Sequence, residues 1–476
     1  MDRTTRVSVD VVVVGGGFAG VRCATLLAES GVSVCLLEEN THLGGQLLRR
    51  LPEGLTNNRR QTKDAVRRMG LRFLNQLRMQ NITLMTGTAV IGIYPDIRLS
   101  VLVGERDVVE VRGKYLVLSM GARERFFPFP GWTLPGVIST GMVQVSIKNS
   151  GILPAPRMLI GGSGLFLLSA AYEFMHAGGR VISVLEDSGM ISKMRMLPAV
   201  MPFPVKVIEG ARFVSALVRH GVPWRFRRRI VAAEGKEALK SVVVARTDRR
   251  GRIRQGTEKR IVTDTLAVGY GFVPNTGLAA MAGCAMEYRS MLGGWTVKVN
   301  DWMETSVTRV FAAGEPTGIA GALKSIDEGE IAAIRILQLM EKIPDALALR
   351  HFSRGKRRRR AHERFGAHFN GLFRVPLAAL EDIPDETVVC RCEDVKMGDI
   401  RRAIMAGYRT LPGIKTATRS TMGSCQGSTC IPILNDIISL LAPPERTKDP
   451  DPTSFRPPAR PVRMGAFLDK NQHSMQ

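Results

Sequence analysis

Four cysteines near the end of this 476-residue sequence have the spacing of a metal centre: Cys390-x-Cys392, then, after 32 residues, Cys425-x4-Cys430. Two close pairs separated by a helix-sized interval suit a [2Fe-2S] cluster, which needs two thiolates on each iron. Four thiolates also suit tetrahedral zinc. A CxC pair is less usual for structural zinc, and a redox-active neighbour favours iron. The other end of the chain supplies that neighbour: Asp10-Val-Val-Val-Val-Gly15-Gly-Gly17-Phe18-Ala19-Gly20 has the spacing of a dinucleotide-binding turn. The two signals together point to electron transfer.

Gly15-x-Gly17-x-x-Gly20 uses its glycines in three ways: one for a tight turn, one for close approach of the pyrophosphate, one for helix–strand packing. Phosphates then sit on the helix N-terminus, where free N–H groups and the helix dipole favour anions. Glu38, 18 residues after Gly20, closes the second strand where a carboxylate accepts hydrogen bonds from a ribose. Three later fragments, Gly44-Gly45-Gln46, Ser119-Met120-Gly121-Ala122 and Ala312-Ala-Gly314-Glu315, resemble in order the pieces that wrap FAD in the pyridine nucleotide–disulfide oxidoreductase superfamily. The resemblance implies that Glu315 bonds the ribityl chain, where Asp is usual; Ser119-Met120 replaces the usual Ala-Thr. A second turn, Gly161-Gly162-Ser163-Gly164-Leu-Phe-Leu167, puts Gly162 and Gly164 where they could cradle a phosphate. Leu167 holds the third glycine position. By position this is the NAD(P)-binding half, and three readings stay open: it binds NAD(P), another adenine nucleotide, or nothing. Cys23, Cys35 and Cys284 are isolated, so the redox-active cysteine pair of the disulfide reductases is missing and each reads as a small core residue.

The cysteine motif resembles the bacterioferritin-associated-ferredoxin type of [2Fe-2S] domain. Each pair is expected just before a helix, whose dipole depresses thiolate pKa values. Longer strings extend the likeness: Gly121-Ala-Arg123-Glu124-Arg125, Phe129-Pro-Gly131-Trp132-Thr-Leu-Pro135-Gly136, Gly269-Tyr-Gly271-Phe-Val-Pro274-Asn275, Glu315-Pro-Thr-Gly318-Ile-Ala-Gly321 and Arg456-Pro-Pro-Ala-Arg460. Over nearly its whole length the chain resembles the FAD/[2Fe-2S] α subunits of bacterial amine and imino-acid dehydrogenases, the opine oxidase, hydrogen cyanide synthase and D-hydroxyproline dehydrogenase group. That implies a hetero-oligomer in which a catalytic FAD subunit related to D-amino-acid oxidase oxidises the C–N bond, with an electron acceptor beyond. No His/Asp/Ser constellation or useful carboxylate pair suggests substrate chemistry in this chain itself. The rival is a self-contained NAD(P)H-dependent reductase loaded through the second turn. A third reading is a zinc-bearing scaffold without flavin.

These motifs fix the expected architecture: α/β, with two Rossmann-like domains, one split around the other, and a small C-terminal [2Fe-2S] domain. The expected divisions are an FAD-binding domain at 7–150 and 263–349, a second dinucleotide-binding domain at 151–262, a basic linker at 350–385, the [2Fe-2S] domain at 386–442 and a Pro/Arg-rich arm at 443–476. Residues 57–80 read as a basic amphipathic helix. The 67 basic and 43 acidic residues give a net charge of +24. No nucleic-acid motif accompanies the arginine clusters, so solvated arginines or an acidic partner are the readings; peripheral membrane contact is left open. No apolar run reaches the roughly 18 residues of a membrane span. Seven cysteines, an odd number, grouped like metal ligands suggest a reducing, cytoplasmic setting.

Overall fold

The computed structural model describes residues 6–49, 65–78, 82–190, 204–442 and 455–467. The valine run predicted to open the first domain forms β1 (Arg6–Val14), followed by α1 (Phe18–Glu29), β2 (Val34–Glu38), α2 (Ala65–Arg78), β3 (Thr83–Thr86), β4 (Thr88–Tyr94), β5 (Arg98–Val103) and β6 (Asp107–Leu118). The sheet order is β3-β2-β1-β6-β5-β4. β1, β2, β3 and the C-terminal half of β6 run parallel, as βαβ crossovers require. Val11, Val12 and Val13 are fully buried, Val11 and Val13 against helices and Val12 largely against the β4–β5 strands, which is why the strand reads as an unbroken apolar run rather than an alternating one. The helix expected at 57–80 is described over Ala65–Arg78; its remaining residues lie outside the described ones.

A short β7 (Ala122–Glu124) leads to β8 (Val137–Ser139), α3 (Thr140–Ser150), β9 (Arg157–Gly162), α4 (Phe166–His176), β10 (Arg180–Glu186), α5 (Pro204–Arg219) and β11 (Trp224–Phe226). A three-stranded antiparallel sheet follows, β12 (Arg228–Glu234), β13 (Ser241–Arg246) and β14 (Lys259–Val262), then β15 (Leu266–Gly269). The second parallel sheet is ordered β11-β10-β9-β15-β8. β8, expected within 7–150, and β15, expected within 263–349, thus belong to the second sheet, and α3 packs beside them. Three-residue β8 follows a Pro/Gly-rich passage and carries too little periodicity to be assigned from sequence.

The chain returns to the first domain through β16 (Phe272–Pro274), which pairs with β7, then α6 (Gly277–Met281), the hairpin β17 (Met286–Arg289) and β18 (Gly294–Val297), β19 (Val310–Ala312) beside β6, and α7 (Ala322–Leu339). The expected basic linker contains instead most of α8 (Asp345–Leu372), packed along α7. Its arginines look solvated in sequence because their partners are distant: Arg358 Nε donates to Asp327 at 2.7 Å, and the buried Arg359 Nε to Glu328 at 2.9 Å.

The cysteine domain comprises β20 (Val388–Cys390), β21 (Val395–Lys396), α9 (Met397–Met405), α10 (Leu411–Thr418) and α11 (Ile431–Leu441). It is not suspended on a tether. Val389, Cys390, Met397 and Ile400 share one apolar core with Phe129, Trp132, Ile230, Leu239 and Val242 of the second domain. The C-terminal arm, over 455–467, runs back across the first domain, where Ala459 N–H donates to Ile91 and Arg460 pairs with Glu39 and Glu105. Among the described residues no helix is long and apolar enough to cross a membrane.

Candidate functional site

The first turn is built from backbone contacts that admit no side chain. Gly15 lies at φ +104°, and a Cβ on Gly20 would fall 1.9 Å from the Gly15 carbonyl oxygen, so α1 starts directly against the end of β1. Gly17, at the N-cap of α1, has the opposite surroundings: nothing lies within 4 Å of where its Cβ would be. That open ground at a helix N-terminus, with Phe18 and Ala19 next in line, fits a pyrophosphate. Glu38, buried at the end of β2, accepts from Gly16 N–H through Oε2 (2.7 Å) and from Asn40 N–H through Oε1 (2.8 Å). Gly45 packs against Gly17, and Gln46 beside it accepts from Arg49 (2.8 Å). Gly121, at φ +70°, follows β6 across the same edge.

At the other end of this edge stand Gly314 and Glu315, in the loop between β19 and α7. A network that sequence reasoning missed holds that loop. Fully buried Lys324 donates to the carbonyls of Gly314 (3.0 Å) and Gly318 (2.9 Å) and to Thr317 (2.6 Å), and forms an ion pair with Glu328 (3.0 Å). Glu328, equally buried, accepts in turn from Gly314 N–H (2.8 Å), Thr317 and Arg359. Burial pushes the Glu328 carboxyl upward, but Lys324 and Arg359 outweigh it and hold it below its usual range. Half-buried Glu315 accepts from Gly321 N–H (2.8 Å); burial pushes its carboxyl up, with Lys324 opposing. The i, i+4 spacing of Lys324 and Glu328 is visible in sequence. Nothing local says that both are buried.

The two cysteine motifs approach one another thiol to thiol, Cys430 beside Cys390 and Cys425 beside Cys392. The first pair is buried, while Cys392 is exposed. The Cys430 contact pushes the Cys390 thiol down to about 5, aided by N–H groups of Thr421, Glu393 and Cys392, and pushes Cys430 up. Burial works against ionisation of Cys425, and the Thr429 and Gly427 N–H groups, with Cys392, overcome it. A Cβ on Gly423 would lie 2.3 Å from Cys392 Cβ, so only glycine lets the two cysteine loops close. Trp132 Nε1 donates to the Val388 carbonyl at 2.7 Å and anchors the strand that ends in Cys390. The expectation that each pair precedes a helix holds for Cys430, the N-cap of α11; Cys390 and Cys392 sit in the β20–β21 hairpin instead. By contrast Cys23 and Cys35 are pushed up to about 12 by burial, as inert core thiols are.

The second turn is arranged differently. Gly162 and Gly164 lie at φ +138° and +126°, and Leu167 fills the third position, fully buried against Gly269. Buried Glu186, at the end of β10, accepts from Ser163 Oγ (2.9 Å) and Gly164 N–H (3.2 Å). The same Ser163 hydroxyl lies 2.8 Å from the carbonyl of Phe373, the residue that caps the C-terminus of α8. The chain's own backbone thus reaches into the glycine-rich turn.

A Rossmann-like domain with an open first turn, split around a second and joined to a four-thiol domain, defines an oxidoreductase of the flavin and iron–sulfur class. The chain belongs to the pyridine nucleotide-disulphide oxidoreductase family, whose model matches residues 9–330, and residues 388–439 match the BFD-like [2Fe-2S] binding domain. Its cofactors are accordingly FAD and a [2Fe-2S] cluster. It is 31% identical to the hydrogen cyanide synthase subunit HcnB of Pseudomonas protegens, over 98% of this chain and 99% of that one. It is also 31% identical to an opine oxidase subunit of Rhizobium meliloti, over 97% and 98%. The L-proline dehydrogenase of P. horikoshii has the same fold, with a TM-score of 0.72 at 19% identity, covering 98% of this chain and 81% of that chain.

Proposed function

We propose that this chain is the electron-transfer component of an amine or imino-acid dehydrogenase built from several subunits. In this reading FAD lies on Gly15, Gly17, Phe18, Ala19, Gly20, Glu38, Gly45, Gln46, Gly121, Gly314 and Glu315, and the cluster on Cys390, Cys392, Cys425 and Cys430. One observation carries it: β7, which directly follows Gly121 of the flavin edge, is hydrogen bonded to the loop between Cys425 and Cys430 through Arg123 Nε and the Ser428 carbonyl (2.7 Å). The two redox sites share an interface. When bound, FAD supplies chemistry that joins electron pairs to single electrons, and the cluster carries electrons one at a time.

The protein's part is to hold both groups in register and to shield the inner thiol pair from water while leaving Cys392 accessible. Oxidation of the C–N bond falls to a partner, a second flavin subunit related to D-amino-acid oxidase; the relatives named as subunits of hydrogen cyanide synthase and opine oxidase support this assignment. The clustered, unpaired thiols fit a cytoplasmic, reducing setting. The second turn, engaged by Phe373, takes no nicotinamide.

The test is anaerobic spectroscopy of the native complex. Purified chain should show flavin absorbance and iron with acid-labile sulfide. An amino or imino acid should bleach it only after the partner subunit is added. Rapid bleaching of the isolated chain by NADH or NADPH would overturn the proposal in favour of a self-contained reductase.

A further inference from the structure

Two arginines leave β7 toward the cysteine domain, and they differ in one respect. Arg125 pairs with buried Asp436 of α11, so its charge is cancelled where it sits. Arg123 donates only to neutral oxygens: Ser428 O (2.7 Å), Asn275 Oδ1 (2.9 Å) and Pro274 O (3.4 Å). Among the described residues no carboxylate pairs with it. Ser428 lies within the Cys425–Cys430 loop, so the guanidinium is fixed against the segment that carries two of the four thiols. Arg123 is half-buried, and an uncompensated cation drawn partly out of water is costly unless anionic charge lies close by.

We propose that Arg123 is a positioning and charge-compensating residue of the [2Fe-2S] site, whose fixed positive charge raises the reduction potential of the cluster. The proposal rests on the assignment of the four cysteines as cluster ligands. A four-thiolate [2Fe-2S] cluster is anionic when oxidised and gains one further negative charge on reduction. A cation held nearby therefore stabilises the reduced form more than the oxidised one. The charge is present: burial lowers the guanidinium pKa, but Cys425 and Cys430 oppose that, and an arginine begins far above neutrality. The same side chain bonds Asn275, whose Nδ2 donates to the Met120 carbonyl beside Gly121 (3.1 Å). One residue thus ties the flavin edge to the cluster loop and sets how readily the cluster accepts an electron.

The experiment is a redox titration of the cluster followed by electron paramagnetic resonance, on the full chain and on R123Q, R123M and R123K. Removing the charge in R123Q or R123M should shift the one-electron reduction equilibrium at least tenfold toward the oxidised form, 59 mV lower for n = 1. R123K keeps the charge and should stay within threefold of the parent. A midpoint unchanged in the neutral variants, with iron and sulfide still bound, overturns the proposal. So does loss of the cluster from R123K as well as from both neutral variants, which assigns Arg123 a purely structural role. Loss from the neutral variants alone, with R123K at the parent potential, supports it. Absence of iron and sulfide from the parent chain would instead refute the ligand assignment itself.

Discussion

The two glycine-rich turns of this chain have the same local plan and different surroundings. In each, a buried parallel strand ends in glycines, a helix begins, and a glutamate at the end of the next strand reaches back to a backbone N–H of the turn: Glu38 to Gly16, Glu186 to Gly164. Both turns leave open space at their second glycine, Gly17 and Gly164; the first has glycine at its third position, and the Lys324–Glu328 network fixes the loop across from it. The second has Leu167 at the third position, and Ser163 holds the end of α8. A dinucleotide-binding turn is thus defined by what the rest of the chain leaves empty in front of it. Its glycine spacing is a necessary part of the site, and the distant residues that clear or fill the space decide its use.

That difference can be attacked at its strongest point first. Lys324→Met leaves Glu328 buried with one of its two cationic partners gone, a loss of about 3–5 kcal/mol for a broken buried pair. Urea unfolding should show it, together with loss of bound FAD, because the Gly314–Glu315 loop loses its support. No residue of the second turn should have so large an effect on flavin content. Next in size is a matched pair of alanines. Gly17→Ala places a methyl group where nothing in the protein opposes it, so the thermal midpoint of flavin-free protein should stay near that of the parent while FAD retention falls at least tenfold. Gly164→Ala, at φ +126°, should cost about 1–3 kcal/mol of backbone strain and leave flavin absorbance per chain unchanged. Equal flavin loss from both would erase the distinction between the turns.

Much of this is legible from residue spacing. The valine strand, the glycines, Glu38 and the four cysteines are short-range patterns, and each says locally what it is for. What escapes is long-range. The basic run at 356–360 reads as a linker because its carboxylate partners, Asp327 and Glu328, lie about 30 residues earlier in sequence on α7. Trp132 and Arg123 stand out in sequence only as parts of family-like strings; their targets, Val388 and Ser428, are more than 250 residues downstream. The thiol-to-thiol approach of the cysteines cannot be read from two motifs that each look self-contained. Leu167 is visible as a departure, but the occupant it accompanies, the Phe373 carbonyl, is contributed by an element not expected to be a helix.

The flavin side should also carry its own pH dependence. Glu328 has a folded pKa below its ordinary value of 4.5, so its contribution to stability is present above that value and is lost as pH falls through the folded one. Glu315, in the loop that Glu328 supports, has a folded pKa above 4.5, so its contribution is present below that value and is lost as pH rises through the folded one. Denaturant midpoints measured from about pH 6 down to about pH 2 should therefore fall less steeply in Glu328→Gln than in the parent. A parallel acid limb in both proteins would place the titrating carboxyl elsewhere.

The smallest expected effect concerns the second turn. Ser163→Ala removes the hydroxyl that joins Glu186 to the Phe373 carbonyl, a loss of about 1 kcal/mol for ordinary hydrogen bonding, with FAD content and cluster signal untouched. If Phe373 merely rests in a usable nucleotide site, loosening it should let NADH bind, and the flavin of the variant should bleach with NADH where the parent does not. If Leu167 and the fold around it have closed the site outright, the variant should stay as unresponsive as the parent. Leu167 is buried at the third position whether or not Ser163 keeps its hydroxyl, so the unresponsive outcome is the expected one.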